Sequence, residues 1–324
     1  MPKILIPPGY KSVLSLYDTQ VAIGILKRTF ETALSEALNL KRVSAPLFVD
    51  PNTGLNDDLN GIDRPVSFTI KETGKKAEII QSLAKWKRMA LYKYDFHIGK
   101  GLYTDMNAIR RDDEMDNLHS VYVDQWDWEK VIDAPSRNLE FLQKTVESII
   151  EAICKTADTL QERYPILNLN LTRKTKFITT HELNNLYPNL SSKEQEDAIT
   201  KEHKTVFLMQ IERAPDYDDW QLNGDILIWS DILNCAVELS SMGIRVDPTT
   251  LDAQLKKANC EHRRNLEFHS LLLAGKLPLT IGGGIGQSRL SMMLLKKAHV
   301  GEVQVSLWDE ETVRLCTAAG IELL

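Results

Sequence analysis

The chain has 324 residues, 43% hydrophobic and 26% charged, a composition of soluble globular type and a length sufficient for one large domain or two. A formal net charge of −6 gives no overall basic field, which argues against a nucleic-acid partner, and no apolar run approaches the length of a membrane span. Cys154, Cys235, Cys260 and Cys316 lie far apart with no Cys-x-x-Cys pair, which argues against a zinc cluster and a disulfide framework. They read as buried thiols of a reducing compartment, and with no signal-peptide pattern at the N-terminus a cytoplasmic setting is expected.

Residues 15–38 read as a long helix, because Val21, Ile25, Leu26, Phe30, Ala33, Leu34, Ala37 and Leu38 recur at helical spacing and Ser15 or Asp18 can cap it. Residues 41–49 are strand-like but contain Pro46, which cannot donate to a ladder and points to an edge or an interface. The turn-rich loop 50–61 holds two carboxylates, Asp57 and Asp58, that read as local turn formers. Residues 66–71 and 77–82 bracket Glu72-Thr-Gly-Lys-Lys76 as a hairpin. Residues 81–91 look like a strand running into a helix whose first turns carry Lys85, Lys87 and Arg88, cations expected in solvent.

Residues 107–119 read as a strand end and a charged loop, and 120–129 resume as strand. Period-two alternation sets Val121, Val123, Gln125 and Asp127 on one face and Tyr122, Asp124, Trp126 and Trp128 on the other. A face that turns from valine to glutamine and aspartate passes from packing to recognition, since an unpartnered polar group there is costly. Residues 139–164 form a long amphipathic helix with Leu142, Val146, Ile149, Ile150, Ile153 and Leu160 on its apolar stripe. His181-Glu182 precedes a second helix over 192–203 with a Ser-x-x-Gln capping box; His181 and His203 lack metal-ligand spacing. A dense acidic turn, Arg213-Ala-Pro-Asp-Tyr-Asp-Asp-Trp220, leads into a hairpin of 223–229 and 235–246. Asp225 and Glu238 can lie side by side across that hairpin, either as paired oxygen ligands suited to magnesium or as an exposed acidic edge. Because the strands come in hairpins, an α+β fold is expected, an antiparallel β-sheet flanked by helices, with no repeat or linker dividing residues 1–324.

The stretch Leu277-Pro-Leu-Thr-Ile-Gly-Gly-Gly-Ile-Gly-Gln-Ser-Arg-Leu290 reads as a short apolar strand, four glycines in five positions, and a helix. Glycines there let the backbone approach something flat or bulky. No lysine follows as in a P-loop, and Gln287 or Arg289 stands where a dinucleotide fingerprint needs its last glycine. Arg289 falls in the first helical turn, where the macrodipole disfavours a cation; it is either a surface arginine of a tight turn or one awaiting an anion.

These pieces, in this order, resemble the catalytic core of class II aminoacyl-tRNA synthetases: the long helix with Pro46, Ile109-Arg110 with the loop to Tyr122 and Val123, and Gly282-Gly-Gly-Ile-Gly-Gln-Ser-Arg289 look like its three motifs. Ser82-Leu-Ala-Lys-Trp-Lys-Arg88, His119-Ser-Val-Tyr-Val-Asp-Gln-Trp-Asp-Trp-Glu129, the acidic turn, Leu239-Ser-Ser-Met-Gly-Ile-Arg-Val246 and the glycine stretch more closely resemble the ammonia-dependent asparagine synthetases, the aspartate–ammonia ligase family. The resemblance spans nearly the whole chain and implies a single catalytic domain, usually in a homodimer, that takes L-aspartate, ATP, Mg2+ and ammonia.

By that resemblance Arg110 bridges the α-phosphate and the activated carboxylate, Arg289 meets adenine and the γ-phosphate, and Asp225 and Glu238 sit near the magnesium–phosphate cluster. Lys87 and Arg245 resemble grips for the aspartate carboxylates, with Arg245 expected on the α-carboxylate because the β-carboxylate reacts. Gln125 and Asp127 are expected to hold the substrate, with Asp127 or Asp218 on its ammonium group, and Ser82 and Ser241 beside them. His119, Tyr122, Gly284 and Gly286 belong to the expected ATP site, and Asp57 is the expected acceptor of the proton from incoming ammonium. The loop 111–118 is about one residue shorter than the family pattern, and the segment before Arg213 lacks an insertion present in some members. The alternatives are an aspartyl- or asparaginyl-tRNA ligase, disfavoured by the missing anticodon-binding domain before the core, and a non-catalytic paralogue, disfavoured by the joint presence of Arg110, Asp225, Glu238 and Arg289.

Overall fold

The computed structural model describes residues 4–57, 59 and 63–324. Helix α1 (Leu16–Leu38) leads to short strands β1 (Leu40–Arg42) and β2 (Phe48–Val49), the hairpin β3 (Ser67–Thr69) and β4 (Lys76–Ile79), helix α2 (Ala84–Lys93), and the long pair β5 (Gly101–Ile109) and β6 (Tyr122–Val131). Helix α3 (Leu139–Arg163), β7 (Lys176–Thr179), α4 (Thr180–Leu186), α5 (Ser192–His203) and β8 (Thr205–Met209) follow. The chain then forms the pair β9 (Asp218–Ser230) and β10 (Cys235–Arg245), helices α6 (Pro248–Lys257) and α7 (Glu267–Leu273), strand β11 (Thr280–Gly286), and helices α8 (Gln287–Leu294) and α9 (Glu310–Ala318).

One eight-stranded sheet has the order β1-β5-β6-β11-β10-β9-β8-β7. Its six central strands are antiparallel, as expected, whereas the outermost pairs β1–β5 and β7–β8 are parallel. Parallel neighbours need a crossover, and here the crossovers carry α2 and the α4–α5 pair. A second, three-stranded antiparallel sheet has the order β2-β4-β3.

Helices α1 and α3 cover one face of the large sheet. Ser15 caps α1 by accepting from the Asp18 backbone N–H, and Ala22, Leu26, Phe30, Leu34 and Leu38 are buried along its inner stripe. They share a core with Leu142, Val146, Ile149 and Ile153 of α3 and with Trp126 and Trp128 of β6, Phe30 lying 4.7 Å from Trp126 between ring centroids. The alternation of β6 therefore holds: its tryptophans enter this core, and Gln125, Asp127 and Glu129 point to the opposite face.

Several local expectations change. Residues 41–49 are not one strand, since the chain breaks at Ala45-Pro46 and passes from the large sheet to the small one. The capping box of α5 uses Ser191 and Glu194, one residue earlier than expected, and His181-Glu182 lies inside α4, whose own capping box joins Thr179 to Glu182. Strand β9 already begins at Asp218, so the acidic turn is partly strand. Lys85, Lys87 and Arg88 are buried, not solvated, because α2 packs its first turns beneath the sheet. Cys154 and Cys316 are buried while Cys235 and Cys260 are half-buried, all four as free thiols. Among the described residues no helix is long and apolar enough to cross a membrane.

Candidate active site

Strands β6, β11 and β10 lie side by side, and their polar face, roofed by the β5–β6 loop, bounds an open cavity of about 1250 Å3. Of the residues singled out in the sequence, Arg110, His119, Tyr122 and Gln125 line it from β6 and the loop. Glu238, Ser241, Gly284, Gly286 and Arg289 line it from the other side.

The two arginines are anchored mainly by carbonyl oxygens. Arg110 donates from Nε to the Gln81 carbonyl (3.3 Å) and forms no ion pair with any described residue. Arg289 donates from Nη1 to the Glu238 carbonyl (3.0 Å) and from Nε to the Leu118 carbonyl (3.4 Å), and the Glu238 carboxylate stands 3.9 Å away. A guanidinium has five N–H donors, so both retain charge and donors for a ligand. Asp124 accepts from the Ser288 backbone N–H (3.0 Å) in the first turn of α8 and so supplies the negative charge that a helix N-terminus favours, offsetting Arg289 one residue on.

Lys87, Asp127, Asp218 and Arg245, the other expected substrate contacts, do not line this cavity; they form a buried layer under its floor. The Arg245 guanidinium meets Glu129 through Nε (3.0 Å) and Nη2 (2.8 Å) and Asp218 through Nη1 (2.5 Å). Lys87 is bound to Asp127 and donates to the Gly283 carbonyl (2.8 Å). Burial lowers the Lys87 pKa and works against the charges on Arg245 and Glu129, yet their mutual attraction holds Arg245 above and Glu129 below their ordinary values. The glycines of β11 make room for this layer: a Cβ on Gly282 would stand 1.9 Å from Glu129 Oε2, and one on Gly284 would stand 2.5 Å from Gln125 Oε1. Neighbouring side chains thus account for the close approach at these two positions.

Asp225 and Glu238 are not direct cross-strand partners. Asp225 faces Ser241 and Glu238 faces Leu227, because the register slips between Glu238 and Ser240. Arg213, absent from the sequence-derived site, occupies the space beside Asp225 and donates to Ser241 Oγ (2.5 Å) and to the Asp225 carboxylate. Burial, and then the Glu238 charge, push Asp225 up to about 7 in spite of Arg213. Asp225 Oδ1 has no hydrogen-bond partner, and Glu238 is 45% exposed. Among the described residues no cluster of three or more His, Cys, Asp or Glu could hold a metal ion.

Residues 17–320 match the family described as aspartate-ammonia ligase. The chain belongs to the aspartate–ammonia ligase family. It is similar to the aspartate–ammonia ligase of Clostridium tetani, with 56% identity over 99% of this chain and 98% of that protein, and to that of Lactobacillus johnsonii, with 52% identity over 99% of each. Among solved structures it resembles asparaginyl-tRNA synthetase from Pyrococcus horikoshii complexed with asparaginyl-adenylate, with a TM-score of 0.70 and 16% identity over 90% of this chain and 70% of that one. Asparaginyl-tRNA synthetase from Entamoeba histolytica gives 0.68 and 14% over 89% and 67%. At such identities the likeness shows the fold, that of class II aminoacyl-tRNA synthetases.

Against the family expectation, Ser82 is half-buried away from the cavity and accepts from the Ala84 backbone N–H (3.2 Å) at the start of α2. Asp57 is buried, not a surface turn former, and lines a smaller cavity of about 270 Å3 with Lys85, Asp216, Arg263 and His269, of which Arg263 also lines the large one. Asp58 lies outside the described residues. Asp216 accepts from Arg263 Nη1 (2.5 Å), pairs with His269 Nε2 (3.1 Å), and has Lys85 Nζ at 3.6 Å; these partners outweigh burial and hold its carboxyl well below the usual range.

Sequence reasoning named neither Arg213 nor Glu129 as site residues, though both stand in the stretches that carry the family resemblance. Glu129 was detectable, since it continues the Gln125 and Asp127 face by period two. Arg213, in contrast, reaches Asp225 and Ser241 only through the packing of the acidic turn on β9 and β10.

Proposed function

We propose that this chain makes L-asparagine, AMP and diphosphate from L-aspartate, ATP and ammonia through a β-aspartyl-adenylate. The observation that carries the reading is full-length similarity to aspartate–ammonia ligases, and it is supported by two arginines facing one cavity, Arg110 with no ion pair to a described residue and Arg289 with only the half-exposed Glu238 at 3.9 Å. A carboxylate is a poor electrophile, because its charge repels nucleophiles and it lacks a good leaving group. Attack of a β-carboxylate oxygen on the α-phosphorus breaks the bond to the β-phosphate oxygen, and diphosphate leaves. Ammonia nitrogen then attacks the β-carbonyl carbon, a proton is lost, and AMP departs with the carboxylate oxygen.

Arg110 neutralises the α-phosphate and the β-carboxylate together, for which a planar guanidinium is suited. Arg289 takes the far end of ATP, with Gly284, Gly286, His119 and Tyr122 as walls and Tyr122 or a neighbour over adenine. Gln125 and Ser241 face the aspartate from the floor. Arg245 is the partner for the α-carboxylate and Asp127 or Asp218 for the ammonium; since these groups are paired with one another, substrate must exchange places with one of the floor carboxylates. Asp225, with its free Oδ1, and Glu238 fit a cation that arrives with other oxygens already bound, and Mg2+ there would supply charge neutralisation of the ATP phosphates. A homodimer in the cytoplasm completes the proposal; the exposed Leu47, Phe48 and Phe68 are an apolar surface for a second copy.

The test is purified protein with ATP, Mg2+ and aspartate, with and without ammonium, followed by AMP and asparagine. Ammonium-dependent asparagine in the absence of tRNA supports the proposal; aspartyl or asparaginyl transfer to tRNA in its place overturns it. For Asp57, the acceptor assigned to the ammonium proton, Asp57→Asn should spare aspartate-dependent ATP–diphosphate exchange and abolish asparagine formation. Loss of both activities together refutes that division.

A further inference from the structure

Asn117 sits in the β5–β6 loop that roofs the cavity, 5% exposed, and its side chain holds three parts of the molecule together. Its Oδ1 accepts from the Leu5 backbone N–H (2.7 Å), and its Nδ2 donates to the Leu5 carbonyl (2.9 Å) and to the Ala298 carbonyl (2.8 Å). Its own carbonyl accepts from the Val300 backbone N–H (2.8 Å). Two carbonyl acceptors and one N–H donor fix which end of the amide is which, and both Nδ2 donors are used. The next residues, Leu118 and His119, line the cavity, as does Val300 across from them, and the Leu118 carbonyl receives Arg289 Nε (3.4 Å). The outer half of the loop has a much weaker hold, the exposed pair Arg64–Asp112.

We propose that Asn117 is a positioning residue for ATP: by pinning the inner half of the roof to residues 4–6 and to the turn before Val300, it presets the Leu118–His119 wall and, through the Leu118 carbonyl, Arg289. A wall set before binding saves the ordering cost that a loose loop would pay when the nucleotide enters. The residues near Leu5, far from the chemistry in sequence, are thus part of the nucleotide site.

This inference rests on ATP being the ligand, so wild-type protein is first checked for ATP binding by calorimetry; no binding there counts against the function proposed above, not against the pin alone. Asn117→Ala should then raise KM for ATP about tenfold or more with kcat and KM for aspartate within about threefold, on the scale of one or two buried hydrogen bonds lost. Asn117→Asp, of the same size, should be no better, since a carboxylate keeps the Leu5 N–H but faces two carbonyls. Leu5→Pro deletes one donor while leaving Asn117 in place, serves if Asn117→Ala fails to fold, and should raise the same KM without adding to Asn117→Ala in the double variant. Asn138→Ala, which removes the α3 cap and lies outside the cavity lining, is the control for mere destabilisation and should lower Tm with KM for ATP unmoved. Unchanged KM for ATP in both Asn117→Ala and Leu5→Pro, or effects that simply add, overturns the proposal.

Discussion

The cations on the two sides of the cavity floor live under opposite rules. Above it, Arg110 and Arg289 are held by carbonyl oxygens and keep charge in reserve, while below it Lys87 and Arg245 are closely paired with Asp127, Glu129 and Asp218. A buried charge must be matched by opposite charge, because desolvation is not otherwise repaid; a cation at an open cavity can stay unmatched because water stands in until a ligand arrives. The difference separates side chains already neutralised within the protein, which a ligand reaches only by exchange, from side chains that a ligand can meet directly.

That distinction can be broken most directly at Arg245. Arg245→Met leaves Glu129 and Asp218 buried without their partner, so a loss of about 3–5 kcal/mol in denaturant unfolding is expected, with activity lost alongside. Arg110→Ala and Arg289→Leu should lower adenylation, read as ATP–diphosphate exchange, by about a thousandfold or more while Tm stays within a few degrees. Near-normal exchange in either variant would sink the account of the upper arginines.

A smaller effect is expected with pH. Asp216 has its folded pKa depressed, so its network contributes stability above the unfolded value of about 4, and that contribution is lost as pH falls below it. Between pH 6 and pH 3 the denaturation midpoint should therefore fall less steeply in Asp216→Asn than in wild type, although the variant starts lower. At the other extreme, Arg64→Ala removes an exposed pair, and a Tm within about 2 °C of wild type is expected. A large drop there would erase the contrast between buried and open charge.

Much of the fold was legible because its signals are local. The core of the helical stripe (Leu26, Phe30, Leu34 and Leu38, though not Ala37, which is exposed), the cap at Ser15 and the two-sided alternation of Trp126 and Trp128 against Gln125 and Asp127 all follow from periodicity and short-range hydrogen bonding. The site was legible in part, chiefly where glycines and arginines stood in family-like stretches. Lys85, Lys87 and Arg88 read as solvated because helix sequence gives a charge no depth; only α2 lying beneath β6 and β11 buries them. Likewise the offset of Asp225 from Glu238 comes from a bulge that neither strand announces.

By itself, then, the sequence determined the long helices, the central hairpins, the strand-to-helix turn at the glycines and, through the resemblance carried by its motifs, the family. Tertiary structure alone decided which charges are already paired within the protein and which stand open to the cavity. Arg289 and Arg245 are the same residue type in equally suggestive motifs, and what separates them is three-dimensional: buried Glu129 and Asp218 converge on one, while carbonyl oxygens, one half-exposed carboxylate and an open cavity surround the other. Coulombic pairing and desolvation depend on distances between residues far apart in the chain, and those distances exist only once the sheet has formed.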